Sequence, residues 1–83
     1  MQKTEVGSIV RSLLIHHFDI LPETFSWEKK LEELQANFKI LSQLVFLEQL
    51  IQKEFGKNIG ILEEISTAFH TPEDLVEVIV KSL

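Results

Sequence analysis

Ser12 and His16 stand four residues apart in a stretch of helical spacing, where a hydroxyl nucleophile and a base can meet on one helix face. Nucleophilic catalysis also needs a group to orient the base and donors for an oxyanion, and the flanking sequence offers neither. The pair is expected to be a surface coincidence. His16 and His17 diverge by about 100° on a helix, so they cannot chelate one ion together, and His70 lies far along the chain. The carboxylate pairs Glu32-Glu33 and Glu63-Glu64 diverge in the same way, which suits solvated faces better than acid–base work. Cysteine is absent, which removes disulfides, thiolate nucleophiles and cysteine-ligated zinc. The expectation is a chain that is not an enzyme, with no catalytic residues and no metal site.

The elements that position these side chains are helical. From Val6, apolar residues fall at Ile9, Val10, Leu13, Leu14 and Phe18, the spacing of a helix with one buried stripe. Asp19 to Ser26 contains Pro22 and breaks the period, predicting a long ordered loop that leans inward through Ile20, Leu21 and Phe25. Ser26 is a candidate cap for a short turn through Trp27, Leu31 and Leu34, and Asn37 for the next helix, from about Phe38 to Phe55. Gly56 supplies the left-handed position at which such a helix stops. A minor turn follows through Ile61, Leu62 and Ile65. Thr71-Pro72-Glu73-Asp74 carries the start signals of a last helix, which buries Leu75, Val76, Val78, Ile79 and Leu83. Phe18, Phe25, Phe38, Phe55 and Phe69 recur near helix ends as core plugs.

The 83 residues allow one core, so residues 1–83 are expected to form a single all-α domain: a bundle of three long helices plus one short one. Net charge is −5, from 13 acidic against 8 basic residues, and no Lys/Arg cluster matches a run of phosphates. Nucleic acid is excluded as a partner. No apolar stretch approaches the roughly 20 residues that span a bilayer, which excludes membrane insertion and leads to the expectation of a cytoplasmic domain bound by other proteins.

The order long helix, inward-leaning loop, long helix, short helix, final helix resembles the acyl carrier protein family over nearly the whole chain. Leu31-Glu32-Glu33-Leu34, Lys53-Glu54-Phe55-Gly56-Lys57-Asn58-Ile59 and Phe69-His70-Thr71-Pro72-Glu73-Asp74-Leu75 are similar to that family's segments around its second and last helices. The resemblance implies an acyl-carrier-like bundle serving fatty acid, polyketide or peptide biosynthesis, docking on acyl-processing or ligase enzymes. It also implies a 4′-phosphopantetheine arm on the serine of an Asp-Ser-Leu motif at the start of the second helix. Matching the buried positions of that helix, with Leu41, Leu44, Val45 and Leu47 as core, sets Ala36-Asn37-Phe38 over the motif. Asn37 then replaces the serine, and no cofactor is carried. A register without gaps sets Leu41 at the attachment position and Ser42 one residue beyond it, which leaves Ser42 as the alternative site for the arm.

A helical projection of the second helix, at 100° per residue, collects Ile40, Leu41, Leu44, Leu47, Ile51 and Phe55 on a core-facing arc. Lys39, Ser42, Gln43, Gln49 and Lys53 fall opposite. Phe46 and Leu50 interrupt that polar arc as an apolar ridge, and with Lys39, Gln43, Glu48 and Lys53 they form a candidate surface for a partner or for a second copy in a homodimer. The alternative is that the loop from Asp19 to Gln35 covers the ridge with Trp27 or Phe25.

Overall fold

A computed structural model describes residues 2–61 and 71–83. The described residues form helices and loops alone: α1 (Lys3–His17), α2 (Leu31–Leu34), a 3₁₀ turn (Ala36–Lys39), α3 (Leu41–Phe55) and α4 (Pro72–Ser82). Expectations for Leu62, Glu63, Glu64, Ile65, Phe69 and His70 lie outside the described residues.

The α1 stripe forms as its spacing requires. Val6, Val10 and Leu14 are buried, and Ile9 and Leu13 lie partly buried at the margins. They pack on Leu47 and Ile51 of α3, on Leu75, Val76 and Ile79 of α4, and on Ile59 and Ile61 of the chain between. The final helix starts by reciprocal capping: Thr71 Oγ1 accepts from the Asp74 N–H at 3.1 Å, and the Thr71 N–H donates to Asp74 Oδ2 at 3.2 Å. Pro72 is buried in its first turn. Val78 is only partly covered and Leu83 is exposed, because the helix ends at Ser82 and the last residue leaves the buried stripe. Gly56 ends α3 at φ +65°, the conformation its lack of a Cβ permits.

The loop after α1 leans inward, as its composition indicates, through Ile20 and partly through Phe25, whereas Leu21 points to solvent. Phe25 and Trp27 meet edge to face at 4.9 Å between ring centres. Trp27 lies against Gly7 of α1, and its carbonyl accepts the Glu73 N–H at 3.3 Å, occupying one of the donors that the start of α4 leaves over. Ser26 does not cap a helix. Its Oγ accepts from Glu28 N–H at 3.2 Å, and α2 begins later at Leu31, where Glu33 Oε1 accepts from the Lys30 N–H at 3.3 Å.

The largest correction concerns the start of the second long helix. Asn37 does not cap it. The residue sits inside the 3₁₀ turn, exposed, and its N–H donates to Gln35 Oε1 at 3.4 Å. The chain then becomes extended at Ile40 (φ −93°, ψ +125°) before α3 begins at Leu41. That break leaves Ile40 outside the helix, and Leu41, the first residue of α3, faces about 100° away from Leu47 and Ile51, so both are exposed. Val45 and Leu44 are only partly buried, leaving Leu47 and Ile51 as the fully buried residues of α3.

Candidate docking face

Ile40 and Leu41 are 53% and 66% exposed, and Phe46 is 40% exposed. All three lie at or near the amino end of α3. Exposed aliphatic side chains next to one another at a helix start lose hydrophobic free energy unless something covers them. Between Leu41 and Phe46 on the outer side of α3, at 100° per residue, stand Ser42, Gln49 and Lys53, and all three are exposed.

Phe46 does not project freely. Its ring lies 5.5 Å from that of Phe18 and 6.4 Å from the imidazole of His17, and Phe18 in turn sits 4.7 Å from buried Phe38. The carboxyl end of α1, the 3₁₀ turn and the first half of α3 therefore meet in one aromatic cluster. Leu50 packs partly against the core. The ridge foreseen at Phe46 and Leu50 is thus split: Phe46 flanks an exposed face, while Leu50 belongs largely to the interior. Cover for Phe46 comes from His17 and Phe18. Trp27 and Phe25 lie instead with α1 and α4, where Arg11 sits 5.5 Å above the Phe25 ring.

The other candidate partner residues fall around this face. Lys39 closes the 3₁₀ turn and is exposed, Gln43 and Glu48 are half-buried, and Lys53 is exposed in the last turn of α3. Ser42 is in the first turn of α3, which has no side-chain cap and no acidic residue. Its hydroxyl is accessible beside main-chain donors of the kind that attract anions. Asn37 is exposed four residues before the start of α3 and contributes nothing to that helix's first turn.

Ser12 Oγ and His16 Nδ1 are hydrogen-bonded at 3.1 Å, both exposed, in an open groove of about 400 Å³ that Glu54 and His17 also line. The bond repeats the spacing argument. A base this open to water, donating to no orienting carboxylate among the described residues, lacks the parts that make a catalytic group. No group of three His, Asp or Glu residues among the described residues could hold a metal ion. A second groove, of about 670 Å³, runs between Lys3, Gly7 and Arg11 of α1 and Trp27, with Glu73 and Val76 of α4 beyond. Lys3 pairs with Glu77 at its end. That hydrogen bond, and then the carboxylate's charge, raises the Lys3 ammonium above the usual lysine range.

Sequence reasoning missed the exposure of Ile40 and Leu41, since residue type alone placed them in the core. One signal was available: Leu41 lies about 100° away from the Leu47–Ile51 direction, at the edge of the arc. No helix among the described residues is long and apolar enough to cross a membrane. Compared with known proteins, no family model, no curated protein and no solved structure matches the chain.

Proposed function

We propose that this chain is a non-enzymatic, acyl-carrier-like helical domain that acts by docking on other proteins through the outer face of α3. One observation carries the proposal: Ile40 and Leu41, where the chain passes from the 3₁₀ turn into α3, are more than half exposed. Large apolar side chains left exposed at a helix start add nothing to a monomer's core, and an exposed adjacent pair of them is the kind of surface that a partner covers. The order of elements, with a long loop before α3 and a capped last helix, is compatible with a carrier-like plan. Acyl-processing or ligase enzymes are the partners that plan favours.

The test is capture of partners from the source cell on immobilised protein, comparing wild type with Ile40→Gln/Leu41→Gln and with a control pair, Glu23→Gln/Lys81→Gln. Binding should be lost in the first variant and kept in the second, with the circular dichroism of both unchanged. Equal capture by all three refutes the face.

A second reading is favoured by the position of Ser42. Because α3 starts at Leu41 and not near Asn37, the gap-free register puts an accessible hydroxyl in the uncapped first turn, where a phosphodiester would meet main-chain donors. In that reading Ser42 carries 4′-phosphopantetheine. Intact mass after incubation with coenzyme A and a phosphopantetheinyl transferase decides it: a gain of the arm's mass, abolished by Ser42→Ala, establishes the carrier, and an unchanged mass leaves the unarmed docking domain.

A further inference from the structure

Two extended residues, Gln35 and Ile40, set the 3₁₀ turn apart from α2 and α3. Within the turn only Phe38 is buried, against the Phe18 ring, while Ala36, Asn37 and Lys39 are exposed. α3 then opens without a side-chain cap. Gln43 and Leu44 N–H donate to the Ile40 carbonyl at 3.0 and 3.4 Å, and the N–H groups of Leu41 and Ser42 have no acceptor within the helix. Four residues before Leu41 stands Asn37, one of the best capping types, yet its carbonyl only closes the 3₁₀ turn by accepting from Ile40 N–H at 2.9 Å. A start at Asn37 makes a different core. Carried back at 100° per residue, α3 would set Ile40 about 20° from Leu47, on the side of Ile51, and Phe38 about 180° from Leu47.

We infer that the start of α3 is a two-position switch, in which residues 36–40 exchange between the observed 3₁₀ turn and an added turn of α3 capped by Asn37. The two positions turn alternative side chains inward: Phe38 with Ile40 exposed, as observed, or Ile40 with Phe38 exposed. Contact with Phe18 favours the first. The Asn37 cap, a Leu41 N–H bonded to the Asn37 carbonyl and the inward turn of Ile40 favour the second, and a 3₁₀ stretch at the end of a helix is where such a hinge forms. The switch stands apart from the docking reading, but the two are linked: a partner that covers Ile40 holds the observed start, because a ligand shifts an equilibrium by its preference for one state.

Leu41→Pro fixes the observed start without touching the core. Leu41 is 66% exposed at the first position of α3, where a proline has no helical hydrogen bond to lose, and Ile40 already has the extended backbone that precedes proline. In the longer helix the same proline would remove the Leu41 bond to Asn37 and clash with its carbonyl. Backbone relaxation dispersion of the wild type should show residues 37–42 exchanging with a minor state of about 1% or more, and Leu41→Pro should abolish that exchange. Phe38→Ala pushes the other way: carbon chemical shifts at residues 38–40 should become helical, and hydrogen exchange at the Leu41 and Ser42 amides should slow about tenfold. Adding Asn37→Ala should reverse both. Flat dispersion in the wild type, or exchange that survives Leu41→Pro, overturns the inference whether or not Phe38→Ala folds. A folded Phe38→Ala protein whose residues 38–40 stay non-helical overturns it too.

Discussion

The side-chain amide of Gln35 donates to the main-chain carbonyl of Phe18 at 2.8 Å, joining the residue just before the 3₁₀ turn to the exit of α1 across the whole intervening loop. The same side chain accepts from the Asn37 N–H through its oxygen. Gln35, and not Asn37, is therefore the polar residue that organises the approach to α3. Gln35→Leu leaves a partly buried carbonyl without its donor and should cost on the order of 1 kcal/mol, measured by urea unfolding. A midpoint equal to wild type means the bond does not hold the loop.

Asn37→Ala should be almost neutral, within about 0.5 kcal/mol, because an exposed side chain that caps nothing has little to lose. Thr71→Ala should cost about 1 kcal/mol, because its hydroxyl accepts the Asp74 N–H at the start of α4. Denaturant midpoints of the two variants compare them directly. The reverse order would place a helix start at Asn37 after all.

The contrast between these two residues shows what the sequence made legible. Thr71-Pro72-Glu73-Asp74 could be read without a structure because every residue in it acts locally: cap, ring and carboxylates all work within one turn. Gly56 is legible for the same reason. Asn37 misleads because Gln35 caps the 3₁₀ turn in which it sits, and the main-chain carbonyl that accepts from the first turn of α3 belongs to Ile40, a residue type with no capping preference. The α1 stripe followed from periodicity, whereas the exposure of Ile40 and Leu41 did not. Leu41 is of a residue type that usually fills a core, but its place at the edge of the arc, about 100° from the Leu47–Ile51 direction, leaves it at the surface. Trp27 likewise carries no sign in the sequence that its place is against Gly7 and α4, away from Phe46.

Gly7→Ala should stabilise the protein by roughly 0.5–1 kcal/mol, as expected for glycine replaced inside a helix. The added Cβ would stand 3.5 Å from Trp27 Cη2, an ordinary contact, so the ring need not move. Thermal unfolding gives the sign, and the emission of Trp27, the chain's single tryptophan, shows whether the ring stayed in place. Lower stability, or a shifted emission spectrum, contradicts this packing.

Lys3 and Glu77 join α1 to α4, and both are largely open to solvent. Because the Lys3 ammonium is raised in the folded state, its contribution is fully present below the ordinary lysine range and is lost as pH climbs through the raised value. Lys3→Met should therefore differ from wild type in neutral solution and converge on it at strongly alkaline pH, and added salt should shrink the neutral difference. A gap that persists in alkali means that Lys3 acts through its aliphatic stem.

Attachment of a photoreactive aliphatic side chain at position 41, in the living source cell, tests the docking face most directly. The account predicts a discrete cross-link to a partner protein from position 41, and little or none from the same group at position 81, which is exposed at the end of α4. Equal labelling from both positions, or none from position 41 in a folded protein, would contradict the claim that the outer face of α3 is where this domain is bound.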